Sequence, residues 1–247
     1  MLSNQLEVAL YPSTGANATI VMLHEGLGSV SMWKDFPERV AKATGCGVLV
    51  YSRHGHGKSG RLSEKRSVEF MHHEAKVVLP EILAAHKIRN PILLGHSDGG
   101  SIALLYAGTW PERVRGLILE APHVFVEEFG LRSTRAIRKV YESGGLREKL
   151  ARHHDHVDEM FRGWTDIWLD PQFSTWNIEG YLDAIRCPTL VIQGEDDQYG
   201  TVAHVDAIQR RVPGAQKLIM SNCGHSPHRD QPELTLAAIS KFVAALT

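Results

Sequence analysis

The sequence is poor in cysteine, with Cys46, Cys187 and Cys223 as its three examples. An odd number without paired spacing argues against a disulfide framework and a zinc site, and a reducing compartment is the simpler interpretation. The chain start lacks a basic region followed by a long apolar stretch. No apolar run reaches the roughly 18 residues of a spanning helix. We therefore expect a cytoplasmic protein with neither a signal peptide nor a membrane partner.

The chain also lacks an excess of either charge, since its formal net charge is −1. This balance gives no reason to expect nucleic acid as a partner. A length of 247 residues with 43% hydrophobic residues fits one large domain or a domain with an insertion. The composition leaves the oligomeric state open.

Short apolar runs alternate with helical patterns along the chain. The runs are typical of strands covered on both faces and lie at 19–24, 47–52, 91–97, 114–122, 188–195 and 216–222. The helical patterns occupy 32–45, 67–87, 99–114, 201–214 and 231–246. This order predicts a mostly parallel sheet with helices on both faces. Pro80 is expected to kink or end the second helix.

Residues 123–183 interrupt this alternation. They are rich in Arg, His, Glu and Trp and contain no convincing strand. We therefore predict a core formed by residues 1–122 and 184–247, with 123–183 as a helical insertion between two core strands.

The pentapeptide Gly95-His96-Ser97-Asp98-Gly99 matches G-x-S-x-G. A serine on a tight turn from strand to helix is held in a strained backbone conformation, with its hydroxyl above the sheet. The helix that follows points its positive end and free N–H groups at a developing oxyanion. The alternative is a glycine-rich connection without chemistry. Ser97 is therefore a candidate nucleophile that still needs a base.

Two later segments supply candidate partners, VIQGEDDQYG (191–200) and SNCGHSPHRDQPE (221–233). Ser97, an acid and His225 then follow the chain order of the α/β-hydrolase superfamily, which the sequence resembles from TIVMLHEGLGS to its C-terminal helix. YSRHGHGKSG is similar to the loop after the third core strand of that family. The resemblance implies an α/β-hydrolase fold with His225 as general base and an acid that orients it.

The acid and the histidine each have a close neighbour as alternative. Members of the family commonly carry G-x-x-D at this strand end, which counted from Gly194 favours Asp197 over Asp196. His225 lies in the family-like GHSPH turn. His228 is interpreted as a surface or pocket-rim residue.

An oxyanion hole needs two backbone donors. The resemblance implies the N–H of Asp98 and a second N–H from the loop HEGLGS, for which we favour Gly26 over Leu27. Glu25 stands where the family usually has glycine. We expect it to brace the loop through a salt link with an Arg or His, and contact with substrate is the alternative.

The superfamily often places a helical cap at the position of residues 123–183. Trp164 and Trp168 are four residues apart and share one face of a helix. They either pack the cap onto the core or line a substrate pocket. The candidates for substrate binding are Leu27, Trp164, Trp168 and Phe125.

The histidine-rich run RHHDHVDE (152–159) is a weak metal candidate, because His153, His154 and His156 do not share one helical face. We interpret the run as a solvated helix surface. A serine mechanism needs no metal or organic cofactor, and we expect none.

These observations predict a hydrolase that cleaves a small carboxylic ester through an acyl-enzyme on Ser97. The same residues also serve C–C bond hydrolases and lactonases that act on intermediates of aromatic degradation. Some proteins of this fold only bind ligands. Because the sequence supplies both partners that Ser97 needs, an acid and His225, we favour an enzyme with a small-molecule substrate.

Overall fold

The computed structural model describes residues 5–16, 18–62 and 64–246. Within them a sheet of seven strands has the order β1-β3-β2-β4-β5-β6-β7. The strands are β1 Val8–Tyr11, β2 Thr19–Leu23, β3 Gly47–Tyr51, β4 Ile92–His96, β5 Gly116–Glu120, β6 Thr189–Gly194 and β7 Gln216–Met220. β1 pairs antiparallel with β3, and every other pairing is parallel. The prediction of a mostly parallel α/β sheet is confirmed.

The middle of the sheet is buried on both faces, which explains its apolar sequence. Every residue of β4, β5 and β6 is buried, as expected for parallel strands covered by helices. One face packs against a cluster that includes α4, and the other against a cluster that includes α1 and α11. The carboxyl ends of the parallel strands therefore share one edge of the sheet, where loops are free to carry polar side chains.

The helices follow the strands in the predicted alternation. Their bounds are α1 Phe36–Thr44, α2 Phe70–His73, α3 Leu79–Ala85, α4 Asp98–Thr109, α5 Glu128–Glu142, α6 Gly145–Leu150, α7 Val157–Trp168, α8 Glu179–Leu182, α9 Ala203–Arg211, α10 Pro227–Asp230 and α11 Pro232–Ala244. No helix among the described residues combines the length and apolarity needed to cross a bilayer.

β1 is a strand that sequence reasoning missed. It has four residues, lies at the edge of the sheet and pairs Val8 with Tyr51. Leu10 is 62% exposed, so the segment shows neither a continuous buried run nor a long alternation. Its pairing with β3, some forty residues further along the chain, stabilises it and is invisible to local patterns.

Pro80 does not end its helix. A π-helical turn, Glu74–Val78, directly precedes α3 and joins it to α2. Proline lacks an N–H and its ring collides with the carbonyl of the preceding turn. A wider turn at this place accommodates both defects, so the disturbance takes the form of a π-turn rather than a break.

The span between β5 and β6 contains α5, α6, α7 and α8. Its one β-type contact is an isolated bridge between Phe125 and Asn177. α8 packs on α4, where the carbonyl of Tyr181 lies against Gly108. The limits 123–183 for this insertion stay a prediction.

Close backbone contacts fix the turn between β4 and α4. A Cβ on Gly95 would overlap the carbonyl of Gly99, and a Cβ on Gly99 would overlap the carbonyl oxygen of Leu23 in β2. Both glycines are therefore needed because backbone lies where a side chain would begin. The start of α4 is held against the end of β2, from which the next loop leaves.

We predict that Gly99→Ala lowers the free energy of unfolding by about 3 kcal/mol, because the added methyl group forces two backbone segments apart. Gly163→Ala is the matched control. Gly163 lies inside α7 with no atom within 4 Å of an added Cβ, so this change should stabilise by about 0.5–1 kcal/mol. Urea unfolding of both variants measures the difference, and equal stabilities would contradict the account.

Candidate active site

Ser97 lies at the turn between β4 and α4 with φ 54° and ψ −119°. A non-glycine residue in such a conformation costs about 1–3 kcal/mol and persists only where its surroundings impose it. Here the N–H of Ser97 donates to the carbonyl of Glu120 in β5 at 2.8 Å, and its carbonyl accepts from the N–H of Ser101 at 3.1 Å. The strained turn predicted from G-x-S-x-G is therefore present.

His225 connects Ser97 to Asp197. Its Nε2 lies 2.9 Å from Ser97 Oγ, and its Nδ1 lies 2.9 Å from both carboxylate oxygens of Asp197. A carboxylate only accepts hydrogen bonds, so Nδ1 carries the proton and Nε2 presents its lone pair to the hydroxyl. This arrangement allows His225 to take a proton from Ser97.

Asp197 is fixed by donors on all sides of its carboxylate. Its Oδ2 accepts from Gln193 Nε2 at 2.6 Å, and its Oδ1 accepts from the N–H groups of Tyr199 at 2.8 Å and Gly200 at 3.3 Å. Asp197 is buried, whereas Asp196 is exposed. The structure therefore brings Asp197, and not its neighbour, to His225.

The loop that carries His225 is tied to the sheet by two more histidines. His96, whose pKa burial lowers well below its usual value, donates from Nε2 to the carbonyl of His225 at 2.7 Å. His228 is buried, and its Nδ1 lies 2.6 Å from Glu120 Oε2. The interpretation of His228 as a surface or rim residue is wrong, because a buried carboxylate from β5 holds it inside.

The loop after β2 supplies N–H groups at the same edge. Among the described residues, the N–H groups of Gly26 and Asp98 have no hydrogen-bond partner. The N–H of Leu27 donates to Glu25 Oε2. Arg53 clamps the loop with bonds from Nη1 to the carbonyl of His24 at 2.6 Å and from Nη2 to that of Glu25 at 2.9 Å. The loop is thus held by several hydrogen bonds, and Gly26 rather than Leu27 has a free donor.

Glu25 does not form the expected salt link, since no cationic nitrogen of a described residue lies within 4 Å of its carboxylate. Burial raises the pKa of its carboxyl, against the opposing effects of the Leu27 N–H, His225 and Arg53. Glu25 instead braces the loop by accepting a hydrogen bond from the N–H of Leu27.

Asp98 is buried directly behind the nucleophile. Its Oδ1 accepts from Trp168 Nε1 at 3.2 Å, and its Oδ2 lies 3.9 Å from Arg53 Nη2. Burial raises the pKa of this carboxyl, and Arg53 opposes that effect. Asp98 thus anchors the insertion to the first turn of α4.

The insertion also contacts the loop after β2. The indole nitrogen of Trp164 lies where a Cβ on Gly26 would stand. His154 accepts from the N–H of Gly57 at 2.9 Å and donates from Nε2 to the carbonyl of Leu27 at 2.9 Å. The interpretation of the histidine-rich run as a solvated helix surface is wrong for His154, which is buried in the loop between α6 and α7.

A cavity of about 230 Å³ opens above Ser97. Eight residues that the sequence suggested for the site line it, namely Glu25, Gly26, Leu27, Ser97, Asp98, Trp164, Trp168 and His225. Phe125 is not among the described residues that line the cavity; its ring instead lies 4.4 Å from that of His204. The structure does not place Phe125 at this cavity, because the chain after β5 turns towards α9.

Sequence reasoning missed several other wall residues. Tyr199 faces His225 at a ring distance of 4.8 Å, and Leu146 and Leu150 come from α6. Arg229 lies at the cavity wall, is exposed and has no ion pair with any described residue. Tyr199 follows Asp197 closely enough to have been a candidate, whereas α6 carries no local signal that points to the cavity.

A metal site is not formed by the residues that the structure describes, since no three His, Cys, Asp or Glu side chains among them are grouped to hold an ion. Cys46, Cys187 and Cys223 are buried free thiols. Ser97 and His225, which line the cavity 2.9 Å apart, are groups suited to nucleophilic and acid–base chemistry.

Known proteins are similar to this chain at low sequence identity. Serine hydrolase BPHL of Mus musculus is 27% identical over 186 residues, 73% of this chain, and the matched chain spans 64% of that protein's length. A 2-hydroxy-6-oxononadienedioate/2-hydroxy-6-oxononatrienedioate hydrolase of Comamonas testosteroni is 23% identical over 85% of this chain and 82% of its own. An esterase of Exiguobacterium antarcticum superimposes with a TM-score of 0.78 at 21% identity, covering 97% of this chain and 95% of the esterase.

A family model described as the alpha/beta hydrolase family matches residues 20–238. The match starts in β2 and ends in α11, so it spans the parallel sheet and the loops that carry Ser97, Asp197 and His225. The chain belongs to the alpha/beta hydrolase family.

Proposed function

We propose that this protein is a serine hydrolase that cleaves a small carboxylic ester through an acyl-enzyme. The observation that carries the proposal is the pair of contacts made by His225, 2.9 Å to Ser97 Oγ and 2.9 Å to Asp197. A serine hydroxyl becomes a useful nucleophile only beside an oriented base.

In the proposed acylation step, Ser97 Oγ attacks the ester carbonyl while His225 Nε2 accepts its proton. Asp197 stabilises the imidazolium without taking the proton. The negative charge moves to the carbonyl oxygen, which the free N–H groups of Asp98 and Gly26 would bind. His225 then gives the proton to the alcohol oxygen as the C–O bond breaks, leaving an ester on Ser97.

Deacylation repeats these steps with water as the nucleophile. His225 removes a proton from the water, the water oxygen attacks the acyl carbon, and the tetrahedral intermediate collapses. Ser97 recovers the proton from His225 and the carboxylic acid leaves. No cofactor enters either half of the cycle.

The cavity supports a small substrate. Its volume of about 230 Å³ lies below the roughly 300–1,000 Å³ that is common for ligand pockets. The insertion lines one side of the cavity, with Trp164 and Trp168 from α7 and with Leu146 and Leu150 from α6, which add apolar surface. We propose that the insertion acts as a cap that limits the acyl group and keeps water from the oxyanion.

Hydrolysis of a C–C bond is the second candidate, favoured by the likeness to the Comamonas testosteroni hydrolase named for a ring-cleavage product. Turnover of a vinylogous diketone faster than any ester would select it. Turnover of a lactone faster than any ester would select a lactonase. A protein that only binds ligands would neither turn over a substrate nor react with a fluorophosphonate.

Ser97→Ala should abolish hydrolysis of p-nitrophenyl acetate and labelling by a fluorophosphonate probe. Loss of the nucleophile should lower kcat by roughly 10⁴-fold or more, because only binding and oxyanion stabilisation remain. Steady-state kinetics and probe fluorescence on a gel measure the two effects. Ser101→Ala, one turn further along α4, is the control for the helix. Equal labelling of wild type and Ser97→Ala would overturn the proposal.

Asp197→Asn should lower kcat by roughly 10⁴-fold, because an amide no longer fixes the tautomer of His225. Asp196→Asn is the matched control at the adjacent position, whose side chain is exposed; it should change kcat by less than about threefold. Ester hydrolysis by the two purified variants provides the comparison. A larger loss in Asp196→Asn would show that the wrong acid has been assigned.

A further inference from the structure

Glu25 is a carboxylic acid in the cavity that the proposed mechanism does not use. It lines the cavity together with Ser97 and His225 and directly precedes Gly26. Consecutive Cα atoms are about 3.8 Å apart. The Glu25 carboxyl accepts from the N–H of Leu27, on the far side of Gly26, so it lies beside the Gly26 N–H that is proposed to bind the carbonyl oxygen.

The carboxyl of Glu25 is held in one orientation. Its Oε2 accepts from the N–H of Leu27, and its own carbonyl accepts from the N–H of Gly28 at 3.0 Å and from Arg53 Nη2 at 2.9 Å. Its Oε1 has no hydrogen-bond partner among the described residues and is not enclosed by them. One oxygen is thus fixed by the loop, and the other is available to a molecule in the cavity.

The charge of Glu25 is poorly balanced by the protein. Arg53, a buried cation whose charge acts on Glu25, donates to the carbonyls of the loop and lies 3.9 Å from Asp98. Arg229 is exposed, so water screens it. A carboxylate beside the oxyanion hole opposes the negative charge that develops in the transition state. A substrate that carries its own donor near the carbonyl removes this conflict.

We propose that Glu25 is a specificity-determining residue that binds a hydrogen-bond donor, an ammonium or a hydroxyl group, on the substrate carbon next to the scissile carbonyl. The proposal rests on the proposed function, because it assumes that the carbonyl is attacked by Ser97. Both donor groups satisfy Oε1, and the ammonium also neutralises the carboxylate.

The protonation balance of Glu25 suits this role. Burial raises its pKa, while the Leu27 N–H, His225 and Arg53 lower it. A bound ammonium favours the ionised form and forms a charge-assisted hydrogen bond with it. A substrate with a methyl group in the same place leaves a buried carboxyl oxygen without a partner, which is unfavourable.

Three methyl esters of nearly equal shape test the preference directly: alanine methyl ester, methyl lactate and methyl isobutyrate. They carry an ammonium, a hydroxyl and a methyl group on the same carbon. Titration of the released acid gives kcat/KM for each with the wild-type protein. We expect at least one donor-bearing ester to exceed methyl isobutyrate by about tenfold or more, and the better of the two identifies the donor.

Glu25→Gln tests whether Glu25 causes the preference. The amide oxygen can still accept from the Leu27 N–H, but an NH₂ group then faces the cavity and repels a donor. The preference should fall at least about tenfold, and kcat/KM for methyl isobutyrate should rise because the opposing charge is gone. Glu127→Gln is the control, since Glu127 contacts Thr201 and His204 and lies outside the cavity wall; it should leave the preference unchanged.

Equal kcat/KM for the three esters in the wild-type protein would overturn this inference without any variant. A uniform loss in Glu25→Gln would also overturn it, because a residue that only braces the loop affects all substrates alike. p-Nitrophenyl acetate, which carries no such donor, separates the two proposals. If its hydrolysis does not depend on Ser97, the proposed function fails, and the present inference fails with it.

Discussion

The hydrogen bond between Ser97 Oγ and His225 Nε2, at 2.9 Å, is the interaction on which the rest of the site depends. It joins the end of β4, the central strand of the sheet, to a loop that follows β7, an edge strand. Neither side chain reaches the other unless the parallel strands end at one edge. The strained turn at Ser97 and the bonds from His96 to His225 and from His228 to Glu120 all act to hold that alignment.

A second constraint comes from the insertion, which meets the core at two points beside Ser97. Trp168 donates to Asp98 behind the nucleophile, and Trp164 fills the space above Gly26. His154 adds a bond to the carbonyl of Leu27. Because these contacts involve Gly26 and Asp98, the two proposed oxyanion donors, and Leu27 beside the first, the position of the insertion and the geometry of the proposed oxyanion hole are coupled. The glycine at position 26 is what makes room for the indole.

Much of the fold and of the site could be predicted from the sequence because the signals are local. The six parallel strands are short apolar runs, and G-x-S-x-G marks the turn at Ser97. The acid and His225 follow from chain order in the family. What could not be predicted depends on contacts between distant segments. His228 is held inside by Glu120, which lies more than a hundred residues earlier in the chain, and His154 accepts a hydrogen bond from the N–H of the distant Gly57. Both looked exposed in a sequence that shows only their polar neighbours.

Glu25 illustrates the same limit at closer range. Its place in the loop after β2 was evident, but a loop sequence does not tell which way a side chain turns. The structure directs its carboxyl to the Leu27 N–H and the cavity rather than to a basic partner. Phe125 is the opposite case. It follows β5, the neighbour of the strand that leads to Ser97, yet its ring packs on His204.

The central claim is that Ser97 becomes covalently acylated, and mass spectrometry of the acid-quenched protein during turnover of p-nitrophenyl acetate tests it most directly. The account predicts a population heavier by one acetyl group, with the added mass on the peptide that contains Ser97. Turnover without any acetylated protein in the first catalytic cycle, or with the acetyl group on another residue, would contradict it.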